Sequence, residues 1–242
     1  MTHIQPIMNL VIAVGVLVLA GAAHAATIPI TNAGFEAPDV GSGNYQTVTD
    51  DPTGFTGWDI NPSGHSLAAG MHVVDENFNS GVMPPAADGT QWIQVGRKAD
   101  LAQKVGVLDA SLDYTLTLTV GDRTDNSSDL FDFGLWADSD DSGDFDSNLD
   151  TQLAVQTQLD VPNIVGGNNT ADTELATITF DAAGSSLAGD DLYVVLRNTS
   201  GDSSELILYD SVSLTAVPEP ASIVLGIAGM LGMLGMRPRR RR

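Results

Sequence analysis

The residues best suited to chemistry in this chain are carboxylates, and the densest set is Asp138-Ser-Asp140-Asp-Ser142-Gly143-Asp144-Phe145-Asp146. Counted from Asp138, side-chain oxygens recur at positions one, three, five, seven and nine. Gly143 takes position six, where a calcium loop makes its sharp turn. Asp138, Asp140, Ser142 and Asp144 are therefore candidate ligands for Ca2+. Position twelve departs from the pattern: Leu149 stands where a bidentate Glu is expected, and Asp150 comes one residue late. No helical periodicity flanks the segment, which leaves either a weak loop site or an ordinary acidic turn.

A second pair is more widely separated. In the run Leu206 to Leu214, Asp210 shares parity with Leu206, Leu208, Val212 and Leu214. It should point with them unless a bulge rotates it. A carboxylate buried that way must be protonated, paired or bound to a cation, because an isolated buried charge costs several kcal/mol. Basic residues are scarce, which favours the cation. Glu36 is the natural second ligand, because the first and last strands of such folds usually lie side by side. A surface Asp210 with Glu36 in a solvated loop is the alternative.

Among the aromatics, Trp136 and Tyr45 are candidate ligand-stacking residues. Trp136 differs in parity from Phe131, Phe133 and Leu135, so it leaves the face they share. Trp58 and Trp92 read as core. His65 and His72 stand in no nucleophile–base or zinc spacing, so no catalytic residue is assigned.

The elements that position these groups are strands. Tyr114-Thr-Leu116-Thr-Leu118-Thr-Val120 alternates with period two, as do Phe131 to Leu135, Ala176 to Phe180 and Leu206 to Leu214. Leu192 to Leu196 is continuously apolar, as expected of a strand covered on both faces. Weaker candidates are 57–61, 71–74, 91–95, 101–107 and 153–159. Gly-, Asp- and Asn-rich turns separate them, and no stretch has helical periodicity over ten residues. About nine or ten strands imply an all-β fold, a two-sheet antiparallel jelly-roll sandwich, over residues 27–216.

Charge narrows the partners. All 31 acidic residues except Glu219 lie in that body, against Arg97, Lys98, Lys104, Arg123 and Arg197. Such a surface repels phosphate backbones, so nucleic acid is excluded as a partner. With no cysteine, disulfides are excluded too.

The two ends read as addresses. Residues 1–26 have the apolar run and the Ala23-His24-Ala25 cleavage pattern of a signal peptide, without a basic n-region; an uncleaved anchor is the alternative. At 217–242, Pro218-Glu219-Pro220 precedes an apolar transmembrane helix at 221–236 and a terminal arginine cluster. This tripartite order resembles the PEP-CTERM sorting signal. The resemblance implies an exosortase as partner, cutting near Pro218, Glu219 and Pro220. The chain would lodge transiently in the inner membrane and end at the cell surface or outside the cell.

The body carries its own resemblance. Asn32-Ala-Gly-Phe35-Glu36-Ala-Pro38, Gly57-Trp58, Gln91-Trp92, the strand from Tyr114 to Val120 with Gly121-Asp-Arg123, and Tyr209-Asp210 follow in order. That order resembles the galactose-binding-like jelly roll of carbohydrate-binding modules, and it is similar to the Stig cyclases. The second likeness implies a pocket acid for terpenoid cyclisation, which maps to no particular residue here. The reading favoured by these features is a non-enzymatic surface or extracellular-matrix protein, calcium-stabilised and binding polysaccharide. The alternative is a secreted cyclase or glycan-active enzyme on the same scaffold.

Overall fold

The computed structural model describes residues 24–48, 55–60, 71–79, 81–125, 130–164, 170–200 and 205–219. The chain divides into a unit spanning Ala26–Ala216 and a second one made of Met1–Ala25 with Val217–Arg242. Most of the second unit, including Pro220, the expected helix at 221–236 and the apolar part of the expected signal peptide, lies outside the described residues. No helix among the described residues is long and apolar enough to cross a membrane.

The body is all-β. Its strands are β1 (Ala26–Ile28), β2 (Tyr45–Val48), β3 (Asp59–Ile60), β4 (Met71–Asp75), β5 (Gln91–Val95), β6 (Asp100–Val107), β7 (Leu112–Gly121), β8 (Phe131–Ala137), β9 (Thr151–Thr157), β10 (Thr173–Asp181), β11 (Asp191–Asn198) and β12 (Ile207–Pro218). They form two antiparallel sheets. The first runs β10-β7-β12-β5-β4-β2, with β1 beside β12; the second runs β3-β6-β11-β8-β9. The expected jelly-roll sandwich is present. The short β1 and β2 escape a reading by alternation, because one has three residues and the other is mostly exposed.

Period two explains what each strand buries. Tyr114, Leu116, Leu118 and Val120 of β7 enter the core between the sheets, as do Phe131, Phe133 and Leu135 of β8. Strand β11 is covered twice: Leu192, Val194 and Leu196 face the core, while Tyr193 and Val195 join Ala102, Trp136 and Phe145 in a second cluster. The final strand contains the rotation that its sequence left open. Ser211 has φ of 53°; Val212 and Leu214 face the core, while Leu208 packs in an outer cluster with Val74, Met83 and Trp92. Asp210 thus leaves the core face, against the expectation from parity alone, because the bulge shifts the alternation by one residue.

Tyr209, on the core face of β12, ties the two sheets together. Its ring packs edge-on to Phe133, with centroids 6.0 Å apart. Its hydroxyl lies 2.9 Å from the Arg197 carbonyl oxygen and 3.3 Å from that of Asp132, and donates between them. A buried carbonyl that loses its donor costs about 1–3 kcal/mol. Tyr209→Phe should therefore lower stability by roughly 1–2 kcal/mol in guanidinium unfolding. An unchanged midpoint would show that the tie carries no load.

Candidate active site

The outer face of the five-stranded sheet gathers three rows of side chains, each set by strand register. Asp100 of β6 pairs with Arg197 of β11, which pairs with Asp132 of β8. The next row, Asp59, Ala102, Val195, Gly134 and Val155, is small and apolar apart from its end. The third brings Lys104, Tyr193 and Trp136 side by side. The sequence reading singled out none of Asp100, Asp132, Tyr193 or Arg197 as site residues. The alternation of β8 already places Asp132 opposite Phe131 and Phe133; its neighbours come from strands far away in sequence.

The first row is an acid pair about one guanidinium. Arg197 Nε lies 3.5 Å from Asp132 Oδ1, and Asp100 is buried beside them. The Asp132 carboxyl holds its proton above the ordinary range for aspartate. Burial is the main cause; the Arg197 charge opposes it and the Asp100 charge adds to it. Arg197 also lies over the Trp136 ring, 5.9 Å from its centroid. A cavity of about 190 Å³ opens at this end, lined by Lys98, Ala99, Asp100, Arg197, Asn198 and Thr199. The arrangement sets a carboxyl of raised titration near an aromatic ring.

Trp136 leaves the face of Phe131 and Phe133 as expected, yet it is only 2% exposed. It is not an open stacking platform, which corrects the sequence reading. The loop after β8 folds back over it, and Phe145 packs edge-on to Trp136 with centroids 6.0 Å apart. Tyr45 is on the surface as expected, edge-on to His72 and Phe78 at the far edge of the other sheet.

The acidic loop is folded around Asp138. Its Oδ2 accepts from Gly143 N at 2.6 Å and its Oδ1 from Ser142 N at 3.2 Å. Burial pushes this carboxyl up, but these bonds and the contact with Asp140 outweigh it and leave it below the usual range. Carboxylate oxygens of Asp138, Asp140 and Asp150 lie within 4.8 Å of one another. This donor set suits a hard divalent cation. The late Asp150 fills the place that Leu149 leaves, while the Ser142 hydroxyl donates to the Asp144 carbonyl and the Asp144 carboxylate is outside the cluster.

Glu36 and Asp210 both grip the segment before and into β5. Glu36 Oε1 accepts from Thr90 N and Gln91 N, at 2.9 and 2.8 Å. Asp210 Oδ2 accepts from Ala87 N and Asp88 N, at 2.7 and 2.8 Å, and Oδ1 from Ser211 N at 2.6 Å. The Asn32–Pro38 motif acquires a structural role from the same segment. Asn32 bonds Ala37 from both ends of its amide, Phe35 fills the core, and Gln91 Nε2 donates to the Phe35 and Pro38 carbonyls. Of the three ways to satisfy a buried Asp210, backbone pairing is present. Neither it nor Glu36 belongs to a three-ligand cluster among the described residues.

Burial raises the Asp210 carboxyl to about 6, despite the three amides that pull it down. The unfolded residue titrates near 3.8. Folding therefore takes up a proton between these values, and stability falls as pH rises through that window. Asp210→Asn should flatten this slope, whatever its absolute stability, in denaturation midpoints taken from pH 4 to pH 7. An identical slope in the variant would mean that another group sets it.

Comparisons with known proteins bear on the family and the fold. No curated protein matches the sequence. The Stig cyclase Fisc of Fischerella sp. TAU, in complex with (3Z)-3-(1-methyl-2-pyrrolidinylidene)-3H-indole, is 25% identical, with a TM-score of 0.63 over 81% of this chain and 99% of that one. An apo form of a cyclase from Fischerella sp. is 24% identical, with a TM-score of 0.60 over 80% and 97%. A cyclase from Fischerella sp. TAU in complex with 4-(1H-indol-3-yl)butan-2-one is 24% identical, with a TM-score of 0.55 over 80% and 98%. A family profile described as HpiC1 cyclase matches residues 26–215. The expectation of a non-enzymatic matrix protein is overturned by that match, which spans the sandwich and points to its cyclase alternative. With the profile covering most of its length, the chain belongs to the HpiC1-like family, described as HpiC1 cyclase.

Proposed function

We propose that the chain is a cyclase that closes a ring in an apolar, π-rich substrate on the outer face of the five-stranded sheet. The observation that carries this reading is the row Asp100–Arg197–Asp132 beside Trp136: a carboxyl whose titration burial raises, next to an aromatic wall. Asp132 would deliver its proton to a substrate carbon–carbon double bond, forming a C–H bond and a carbocation. A second π bond of the substrate attacks that cation and closes the ring. Loss of a proton to the carboxylate restores the acid, so the net reaction is an isomerisation. Trp136 and Tyr193 would stabilise the cation through their ring faces. Arg197 holds the carboxyl in place, and Tyr209 fixes the backbone of both residues from beneath.

The indole-bearing ligand in the complex of the similar Stig cyclase makes an indole with an unsaturated side chain the substrate class to try first. The product would have unchanged mass and a new chromatographic retention. Asp132→Asn should slow its formation by about a hundredfold or more, the usual share of a general acid. Because the acid works protonated, turnover of the native protein should decline as pH rises past its elevated titration point. Undiminished turnover in the variant would remove Asp132 from this role.

The acidic loop fits a structural calcium ion held by Asp138, Asp140 and Asp150, which would offset the repulsion among three carboxylates. Equilibrium dialysis should find one fewer bound calcium in Asp150→Asn than in the native chain. Equal stoichiometry would eliminate the site.

A further inference from the structure

The proposed site has too little room for its substrate as it stands. Pockets that enclose drug-sized ligands measure about 300–1,000 Å³, whereas the cavity beside Arg197 measures about 190 Å³. The adjoining space on the same face is filled by the protein itself. Phe145 is 1% exposed there, 6.0 Å from Trp136 at 85° and 5.9 Å from Tyr193 at 47°. Its ring makes the contacts that an aromatic substrate group would make.

The segment holding that ring is built lightly. Between β8 and β9 it has neither helix nor strand, and Asp141 and Gly143 turn it with φ of 58° and 81°. Most of its polar bonds lie within the loop itself. One that crosses to the sheet is the Tyr193 hydroxyl, which donates to the Gly143 carbonyl oxygen at 2.8 Å. Lifting the loop would uncover Trp136 and Tyr193, and a substrate ring settling there would restore the lost apolar contact.

We infer that the loop from Asp138 to Asp150 is a removable cap, in which Phe145 keeps the place of an aromatic group on Trp136 and Tyr193. The inference rests on the cyclase reading for its biological sense, but its test needs no turnover. N-methylquinolinium, a cationic aromatic quencher of tryptophan fluorescence, would be titrated into the full chain. Saturable quenching is expected, and Trp136→Phe should abolish the saturable part. A cap that is mostly closed weakens apparent affinity in proportion to its closed population, so Phe145→Ala should tighten binding about tenfold. Tyr193→Phe, which removes only the tie to Gly143, should shift affinity in the same direction by a smaller factor.

Equal affinity in native, Phe145→Ala and Tyr193→Phe chains would overturn the cap, as would saturable quenching that survives in Trp136→Phe. Should Phe145→Ala fail to fold, Tyr193→Phe decides: tighter binding supports the cap and unchanged binding overturns it. Tighter quinolinium binding in a chain with no cyclisation activity would leave the cap standing and remove the cyclase assignment. Cyclisation with unaltered quinolinium affinity would do the reverse.

Discussion

The register of β8 against β11 is the constraint on which both the core and the proposed chemistry depend. Leu196 sits opposite Phe133 and Val194 opposite Leu135, so one face of the pair supplies the middle of the sandwich. The same register sets Arg197 opposite Asp132 and Tyr193 opposite Trp136 on the other face. A slip of one residue would exchange the two sets, pushing a carboxylate and a guanidinium into an apolar interior. The burial that stabilises the fold therefore also holds the acid row in place. Gly134 belongs to this constraint: a β-carbon there would come within 2.1 Å of the Ala154 carbonyl oxygen, so β9 can lie close only against glycine.

Many carboxylates in a body with few bases pose a problem that the fold answers mainly with main-chain amides. Glu36, Asp75, Asp138 and Asp210 each accept from two or more backbone N–H groups. These bonds organise loops, because each carboxylate gathers main-chain N–H groups of the segment it holds. Asp132 is different. Its ion-pair partner is one guanidinium at 3.5 Å, so burial is not fully offset and its titration is raised.

Covering a sheet on both faces shapes the proposed site as well. Trp136 and Tyr193 are large apolar groups on an outer face, and exposing them together would be costly. The loop after β8 covers them with Phe145 while keeping its own carboxylates toward solvent or toward each other. An acidic loop and an aromatic patch, which look unrelated along the chain, are thus one structural unit.

Strand alternation in Tyr114–Val120 and Phe131–Leu135, with the continuous apolar run Leu192–Leu196, was enough to identify the two-sheet sandwich, because period two records which side chains are buried and an unbroken run marks a strand covered on both faces. The spacing of Asp138, Asp140 and a late Asp150 likewise showed an oxygen-rich turn before any coordinates. The bulge at Ser211 was not legible, since one residue in a left-handed conformation reverses parity without any change in composition. Nor was the fate of Trp136, whose direction followed from alternation but whose cover came from a loop. The acid row was hidden for a related reason: Asp100, Asp132 and Arg197 are scattered along the chain and meet only through strand pairing. Local sequence determined the faces of the strands, because a side chain's direction depends on its own backbone. Tertiary structure alone decided which faces meet and which acids titrate above their ordinary range, because both depend on long-range register and burial.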